Sequence, residues 1–261
     1  MSDELLEERS GRVLTLTINR PEKLNSLSPE VLLRFGDILG DLATSDEVRC
    51  VVIQGAGEKA FSSGYDIGRI PEGAADTEGP RRNPLQYGLD AVMSFPYPVV
   101  AAVRGFALGA GLHLALACDL RIASPKARLG MPPVKLGVVY PVEGYELFVR
   151  VLGPATAKAL FLTGRRFSAQ EALRMGIVTH LEPADTFDSY VEELAREIAE
   201  ENAPVAVKGA KVILNRVAAG PLSDDDVAEA RRLMVQAFQS EDAREARAAF
   251  AAKRKPQFSG R

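Results

Sequence analysis

"PVVAAVRGFALGAGLHLALACD", Pro98 to Asp119, runs through three patterns in succession. Val99 to Val103 is continuously apolar and β-branched at its start, the pattern of a strand covered on both faces. "GFALGAG" (Gly105–Gly111) is a glycine-rich turn. From Ala110 onward the residues are apolar and alanine-rich with no polar face, as in a helix buried all round. Strand, turn and helix in this order predict α/β architecture. His113, one of only two histidines in the chain, sits inside the predicted helix.

The same alternation extends outward. "RVLTLTINR" (Arg12–Asn19) alternates and ends at a proline turn, predicting a strand. A helix follows with Ser28 as cap and Pro29 in its first turn. "VRCVVIQG" around Cys50 and "CDLRIAS" after the His113 helix predict further strands. Residues 71–84 are rich in Gly, Pro and charge and predict a surface loop. Beyond Gly153 the pattern turns almost wholly helical. "FSAQEALRMG" carries a capping box from Ser168 to Glu171 and ends at Gly176. Three more helical stretches are predicted between Asp185 and Lys255, broken near Pro204 and Pro221. The expected division is an α/β core over residues 1–200 and a helical region over 201–261.

Composition narrows the function classes. The 261 residues carry a net charge of −3, with 46% hydrophobic and 26% charged residues, which is ordinary for a soluble domain and provides no global basic field for nucleic acid. No apolar run approaches the ~20 residues of a membrane helix, and the acidic N-terminus does not read as a signal peptide. Cys50 and Cys118 lack metal-ligand spacing and read as buried thiols of a reducing compartment, which points to the cytoplasm. No metal site is expected.

Two glycine-containing turns follow predicted strands: "GAGEKAFSSGYDI" after the Cys50 strand and "GFALGAG" after the Val99 strand. Backbone N–H groups at a helix start lack intrahelical partners and sit in positive potential. Two such turns on neighbouring strands could aim two N–H groups at one developing oxyanion. A dinucleotide fingerprint is the competing reading of Gly109, Gly111 and Leu114. It lacks the third small residue and a downstream acid, and is set aside.

"NRPEKLNSLS", "GAGEKAFSSGYDI", "PVVAAVRGFALGAGLHLALACDLRIAS", "KLGVVY", "GRRFSAQEALRMGIVTHL" and "FAAKRKPQF", in that order, resemble the crotonase (enoyl-CoA hydratase/isomerase) superfamily. The resemblance implies a spiral core of ββα units, a helical C-terminal region and assembly as a homotrimer or dimer of trimers. It also implies an acyl-coenzyme A thioester as substrate, with no separate cofactor, and an oxyanion hole that stabilises a thioester enolate. By that resemblance the oxyanion donors fall on the N–H groups of Tyr65 and Ala110. Coenzyme A contacts fall on Lys23, Leu24, Ala60, Ser62, Asp66, Ile67 and Leu108. Phe250 and Lys253 would reach the nucleotide of an adjacent subunit, giving the 201–261 region a role in self-association and coenzyme A binding. The alternatives are turn chemistry alone for Ser62, Ser63 and Gly64, and a solvated helix-end lysine for Lys253.

The two glutamates of the hydratase branch fall on His113 and Pro133. Proline has no ionisable side chain, so the paired acid–base chemistry of hydration is not available in its usual form. Tyr140, after the Leu-Gly turn, and the sequence around it are similar to the methylmalonyl-CoA decarboxylase branch. Departure of CO2 leaves an enolate that an oxyanion hole stabilises without a base, so decarboxylation of a malonyl-type thioester is the expected reaction. The alternatives are an enoyl-CoA hydratase or isomerase using His113, Tyr140 or Glu143 in unusual roles, and a non-catalytic acyl-CoA-binding protein. His113 leans back along its helix toward the Ala110 turn, against the alternative of a core histidine bonded to a backbone carbonyl. Glu143 reads rather as an exposed acid in a first helical turn.

Overall fold

A computed structural model describes residues 4–66, 68 and 83–261. Two sheets organise the chain. The larger has six strands in the order β1-β2-β3-β5-β7-β10: β1 (Leu5–Ser10), β2 (Val13–Ile18), β3 (Cys50–Gly55), β5 (Val99–Val103), β7 (Leu120–Ala123) and β10 (His180–Leu181). All its pairings are parallel except the β1–β2 hairpin. The smaller sheet is β4-β6-β8-β9, formed by β4 (Ala60–Ser62), β6 (Phe106–Leu108), β8 (Arg128–Gly130) and β9 (Arg166–Ser168).

The apolar run of β5 is buried at every position, as its composition required. One face of the large sheet packs on α1 (Pro29–Leu42), α2 (Pro84–Ser94), α3 (Ala110–Ala117) and α4 (Val142–Thr163), with Phe35, Phe61, Leu112, Leu129 and Phe148 in one continuous core. The other face packs Val52, Val100 and Ile122 on Phe187 and Val191 of α6 (Phe187–Arg196). All eight residues of α3 are buried. Ser28 caps α1 by accepting the Val31 N–H, and the Ser168–Glu171 capping box opens α5 (Ala169–Arg174).

The helical remainder comprises α7 (Pro204–Ala219), α8 (Asp224–Gln239) and α9 (Glu241–Ala251). Buried Lys211 anchors α7: its Nζ donates to Asp119 Oδ2 at 2.7 Å and to the Tyr97 carbonyl at 2.9 Å. Asp119, just past α3, also accepts the Val99 N–H. The lysine therefore joins the helical region to the strand and helix that flank the 105–109 turn.

Several elements differ from expectation. The acidic N-terminal stretch forms β1, whose alternation is masked because only Leu5 is buried. The small sheet consists of three-residue strands, too short to show a period. The helix after the Leu-Gly turn begins at Val142, in keeping with the first-turn reading of Glu143, and Gly153 (φ +74°) with Pro154 breaks it where the mostly helical region was expected to start. Between Asp185 and Lys255 there are four α-helices rather than three, because Ser240 caps α9 directly behind α8. Pro84 opens α2 rather than closing a loop, while residues 71–82 of that expected loop lie outside the described residues. Among the described residues no helix is long and apolar enough to cross a membrane.

Candidate functional site

The two glycine turns do not leave β3 and β5 directly. Each contains its own short strand, β4 and β6, and these two pair in parallel. Their C-terminal ends therefore emerge side by side. Gly64 holds φ +111°, and a Cβ there would lie 2.9 Å from the Leu108 carbonyl and 3.5 Å from the Ala110 nitrogen. Glycine lets the two backbones approach this closely. Gly111 serves the same end one turn on, since a Cβ would lie 2.7 Å from that of Ser62.

Tyr65 sits in a parallel bridge with Leu27. The bonds of that bridge run from the Leu27 N–H to Gly64 and from the Asp66 N–H to Leu27. They leave the Tyr65 N–H directed elsewhere, and no backbone carbonyl among the described residues accepts it. Ala110 is the first residue of α3, behind Gly109 as N-cap. Its N–H likewise meets no backbone carbonyl among the described residues, while the Gly109 N–H is taken by Gly130. Two donors that are unpaired among the described residues, one at the positive end of a buried helix, thus occupy adjoining turns.

The Lys23–Leu24 turn docks on the same strand end. The Ser63 N–H donates to the Leu24 carbonyl at 3.0 Å, and Ser63 Oγ to the Lys23 carbonyl at 3.3 Å. Ser62 is buried and its Oγ accepts the Gly64 N–H, so its side chain shapes the turn. The Ala60 carbonyl is occupied by Asn25 Nδ2 at 2.6 Å. Asp66 pairs with Arg20 at 2.7 Å, and Lys23 Nζ lies 3.6 Å from the same oxygen. Leu108 ends β6 beside Gly64. Ile67 lies outside the described residues.

Arg20 and Asn25 are the supports of this turn that sequence reasoning missed. Arg20 is 2% exposed, and it donates to the Ser26 carbonyl and to Asp66. Asn25 accepts the Arg20 N–H and bridges Ala56 and Ala60 through Nδ2. The signal was present in "NRPEKLNSLS", where a charged residue precedes proline and an Asn can adopt positive φ, here +55°.

His113 and Tyr140 come together. His113 Nδ1 and Tyr140 Oη are 3.1 Å apart, so the histidine's partner is a phenol, not a backbone carbonyl. Tyr140 arrives from the segment before α4, and Gly144 makes room, since a Cβ there would run into the Tyr140 ring. Phe148 stacks edge-on against His113. Burial pushes the imidazole down to about 4 and raises the Tyr140 phenol above its usual range. Both are neutral near pH 7. If Tyr140 donates to Nδ1, the imidazole proton resides on Nε2, and this arrangement leaves the fewest buried groups unpaired. Nε2 bonds to no described residue. Arg49 Nε is the one sealed unpartnered side-chain atom among the described residues, so Nε2 lies on the small accessible edge of His113. Of the remaining positions, Pro133 is buried in a short 3-10 turn and Glu143 is exposed in the first turn of α4. Phe250 on α9 is 88% exposed, and Lys253 lies just past the helix end with φ +51°. Among the described residues no cluster of three or more His, Cys, Asp or Glu could hold a metal ion.

The depressed His113 value has a stability consequence. The unfolded chain takes up a proton near pH 6.5 that the folded state refuses until about pH 4. The unfolded state therefore binds more protons within that window, and stability falls as pH drops from 6.5 toward 4. In thermal melts against pH, His113→Leu is expected to flatten this acid limb; an unaltered limb assigns the loss to other groups.

The Enoyl-CoA hydratase/isomerase family profile matches residues 8–261. A short-chain-enoyl-CoA hydratase from Clostridium acetobutylicum is 38% identical over 257 residues, covering 97% of this chain and 96% of that one. Carnitinyl-CoA dehydratase from Escherichia coli K12 is 34% identical over 271 residues, with all of both chains covered. Among solved structures, an enoyl-CoA hydratase/carnithine racemase from Magnetospirillum magneticum superposes with a TM-score of 0.91 at 31% identity, covering 100% of this chain and 97% of that one. The fold and the paired turns thus define a crotonase-type protein. The chain belongs to the enoyl-CoA hydratase/isomerase family.

Proposed function

We propose that the protein acts on an acyl-CoA thioester by stabilising an enolate, in hydration, dehydration or isomerisation of the enoyl-CoA type. The observation that carries this reading is the juxtaposition of two N–H donors, at Tyr65 and Ala110, that no backbone carbonyl of the described residues accepts, beyond the adjoining ends of β4 and β6. The thioester oxygen would accept from both, and negative charge developing on it would be stabilised more than in the ground state. Neutral His113, with a proton on Nε2, would donate a hydrogen bond to the β-oxygen and orient the water, whose own proton ends on the α-carbon, so that the imidazole gains and loses no net proton. The hydratase and dehydratase names of the relatives favour this reading over the decarboxylation expected from "KLGVVY".

Decarboxylation of a malonyl-type thioester, such as methylmalonyl-CoA, remains the second reading. It is favoured by Pro133, which leaves no carboxylate at the second acid–base position, and by a His113–Tyr140 pair that holds no base of ordinary strength. There Tyr140 would orient the departing carboxylate. Lys23, Leu24, Ala60, Ser62, Asp66, Ile67 and Leu108 are assigned to coenzyme A in either case, and residues 201–261, with Phe250 and Lys253, to a neighbouring copy's nucleotide. The exposed Met234, Val235 and Phe238 of α8 support self-association as a trimer or dimer of trimers.

The test is side-by-side turnover of crotonyl-CoA, 3-hydroxybutyryl-CoA, and malonyl- and methylmalonyl-CoA. Interconversion of the first two without CO2 release supports the first reading, and CO2 release supports the second. Binding without turnover of any of them overturns both.

A further inference from the structure

The segment that delivers Tyr140 has little packing of its own. Val138 and Val139 are 50% and 84% exposed, and α4 begins only after Pro141. Yet Tyr140 Oη must reach one nitrogen of a buried imidazole. The backbone N–H of Tyr140 finds no carbonyl partner among the described residues. It donates instead to Tyr145 Oη, at 3.2 Å, from one turn into α4. Tyr145 is in turn held by Phe161, with ring centroids 4.6 Å apart, and Phe161 also packs on Tyr140 and Phe148 at 5.7 and 4.9 Å. Phe161 lies beyond the Gly153 break, so the second half of α4 buttresses the first.

We infer that Tyr145 is a positioning residue: its hydroxyl pins the Tyr140 backbone so that the Tyr140 side chain holds His113 in the tautomer whose Nε2–H faces the site. This rests on reading His113 and Tyr140 as the pair that meets substrate. The physical reason is geometric. A side chain is aimed by its backbone, and an exposed segment with a free N–H samples many orientations. A hydrogen bond tolerates less misalignment than apolar contact does. The tie therefore controls the Oη–Nδ1 bond rather than the burial of the ring. Outer contacts of this kind fix the tautomer and direction of the imidazole they act through.

The test uses the whole protein labelled with 15N-histidine, where two histidines produce two ring spin systems. His180, which bonds Glu182 from a half-buried site, is assigned by its loss in His180→Gln. Wild type is expected to show His113 locked, with Nδ1 unprotonated and Nε2 protonated. In Tyr145→Phe, which keeps the ring and removes the hydroxyl, both nitrogens are expected to move toward the tautomer average. kcat should fall by about tenfold with KM changed less than about twofold, the signature of lost alignment rather than lost binding. Unchanged His113 ring shifts in folded Tyr145→Phe would overturn the inference. So would a wild-type His113 already averaging its tautomers. If the variant does not fold, hydrogen exchange of wild type decides: the Tyr140 amide should exchange far more slowly than that of Val139, and equal rates would overturn the tie. Altered ring shifts with unaltered turnover would keep the positioning role while removing the pair from the chemistry, so the two failures are separable.

Discussion

Ala110→Pro is expected to leave a folded protein whose turnover of any acyl-CoA substrate falls by at least ~10²-fold, the scale of losing one oxyanion donor. The position permits the substitution. Ala110 opens α3, and proline is well accommodated at the first residue of a helix, where its missing N–H has no intrahelical role. Gly109, with φ +53° and ψ −123°, is outside the α-region conformation that a following proline disfavours. The substitution thus deletes one donor and places the ring where the thioester oxygen would approach. With the proposed coenzyme A contacts untouched by the substitution, substrate binding should change far less than kcat. Circular dichroism and a thermal melt check the fold. Wild-type turnover in a folded Ala110→Pro protein would remove this N–H from the mechanism.

A double-mutant cycle on His113 and Tyr140 is the second large effect. His113→Leu removes the proton-bearing group, and kcat should fall by ~10²- to 10⁴-fold. It also strands the Tyr140 hydroxyl in a buried place, at a cost of about 1–3 kcal/mol in stability. Tyr140→Phe strands Nδ1 of the imidazole in the same way. In His113→Leu/Tyr140→Phe no unpaired polar group remains, so stability should recover relative to either single variant while activity stays lost. Additive stability losses, measured by denaturant unfolding, would mean that the 3.1 Å contact is not a coupled pair.

Much of the large sheet could be read directly, because its strands are long enough to show their environment. The uninterrupted apolar β5 and the alternating β2 announced themselves, as did the Ser28 and Ser168 caps. The small sheet could not be read, since three residues carry no period, and yet it is this sheet that sets the two donor turns side by side. Arg20 and Asn25 left only a local trace in "NRPEKLNSLS". Their importance lies in which carbonyls and carboxylates they reach across the fold, and no local pattern encodes those partners. Phe250 and Lys253 were named through resemblance alone, and both sit on surface that the single chain leaves uncovered.

The sequence by itself determined the α/β class and the presence of two glycine turns suited to bringing backbone N–H groups close, because glycine spacing and hydrophobic period are local properties. Through its resemblance to the hydratase branch it also placed a histidine and a proline at the positions of that branch's two glutamates. Only the tertiary structure decided what His113 touches. Its partner lies 27 residues away on a segment with no period of its own. Whether an imidazole is a base, a donor or core filler depends on which atom faces each nitrogen and how much water remains, and both are fixed by packing.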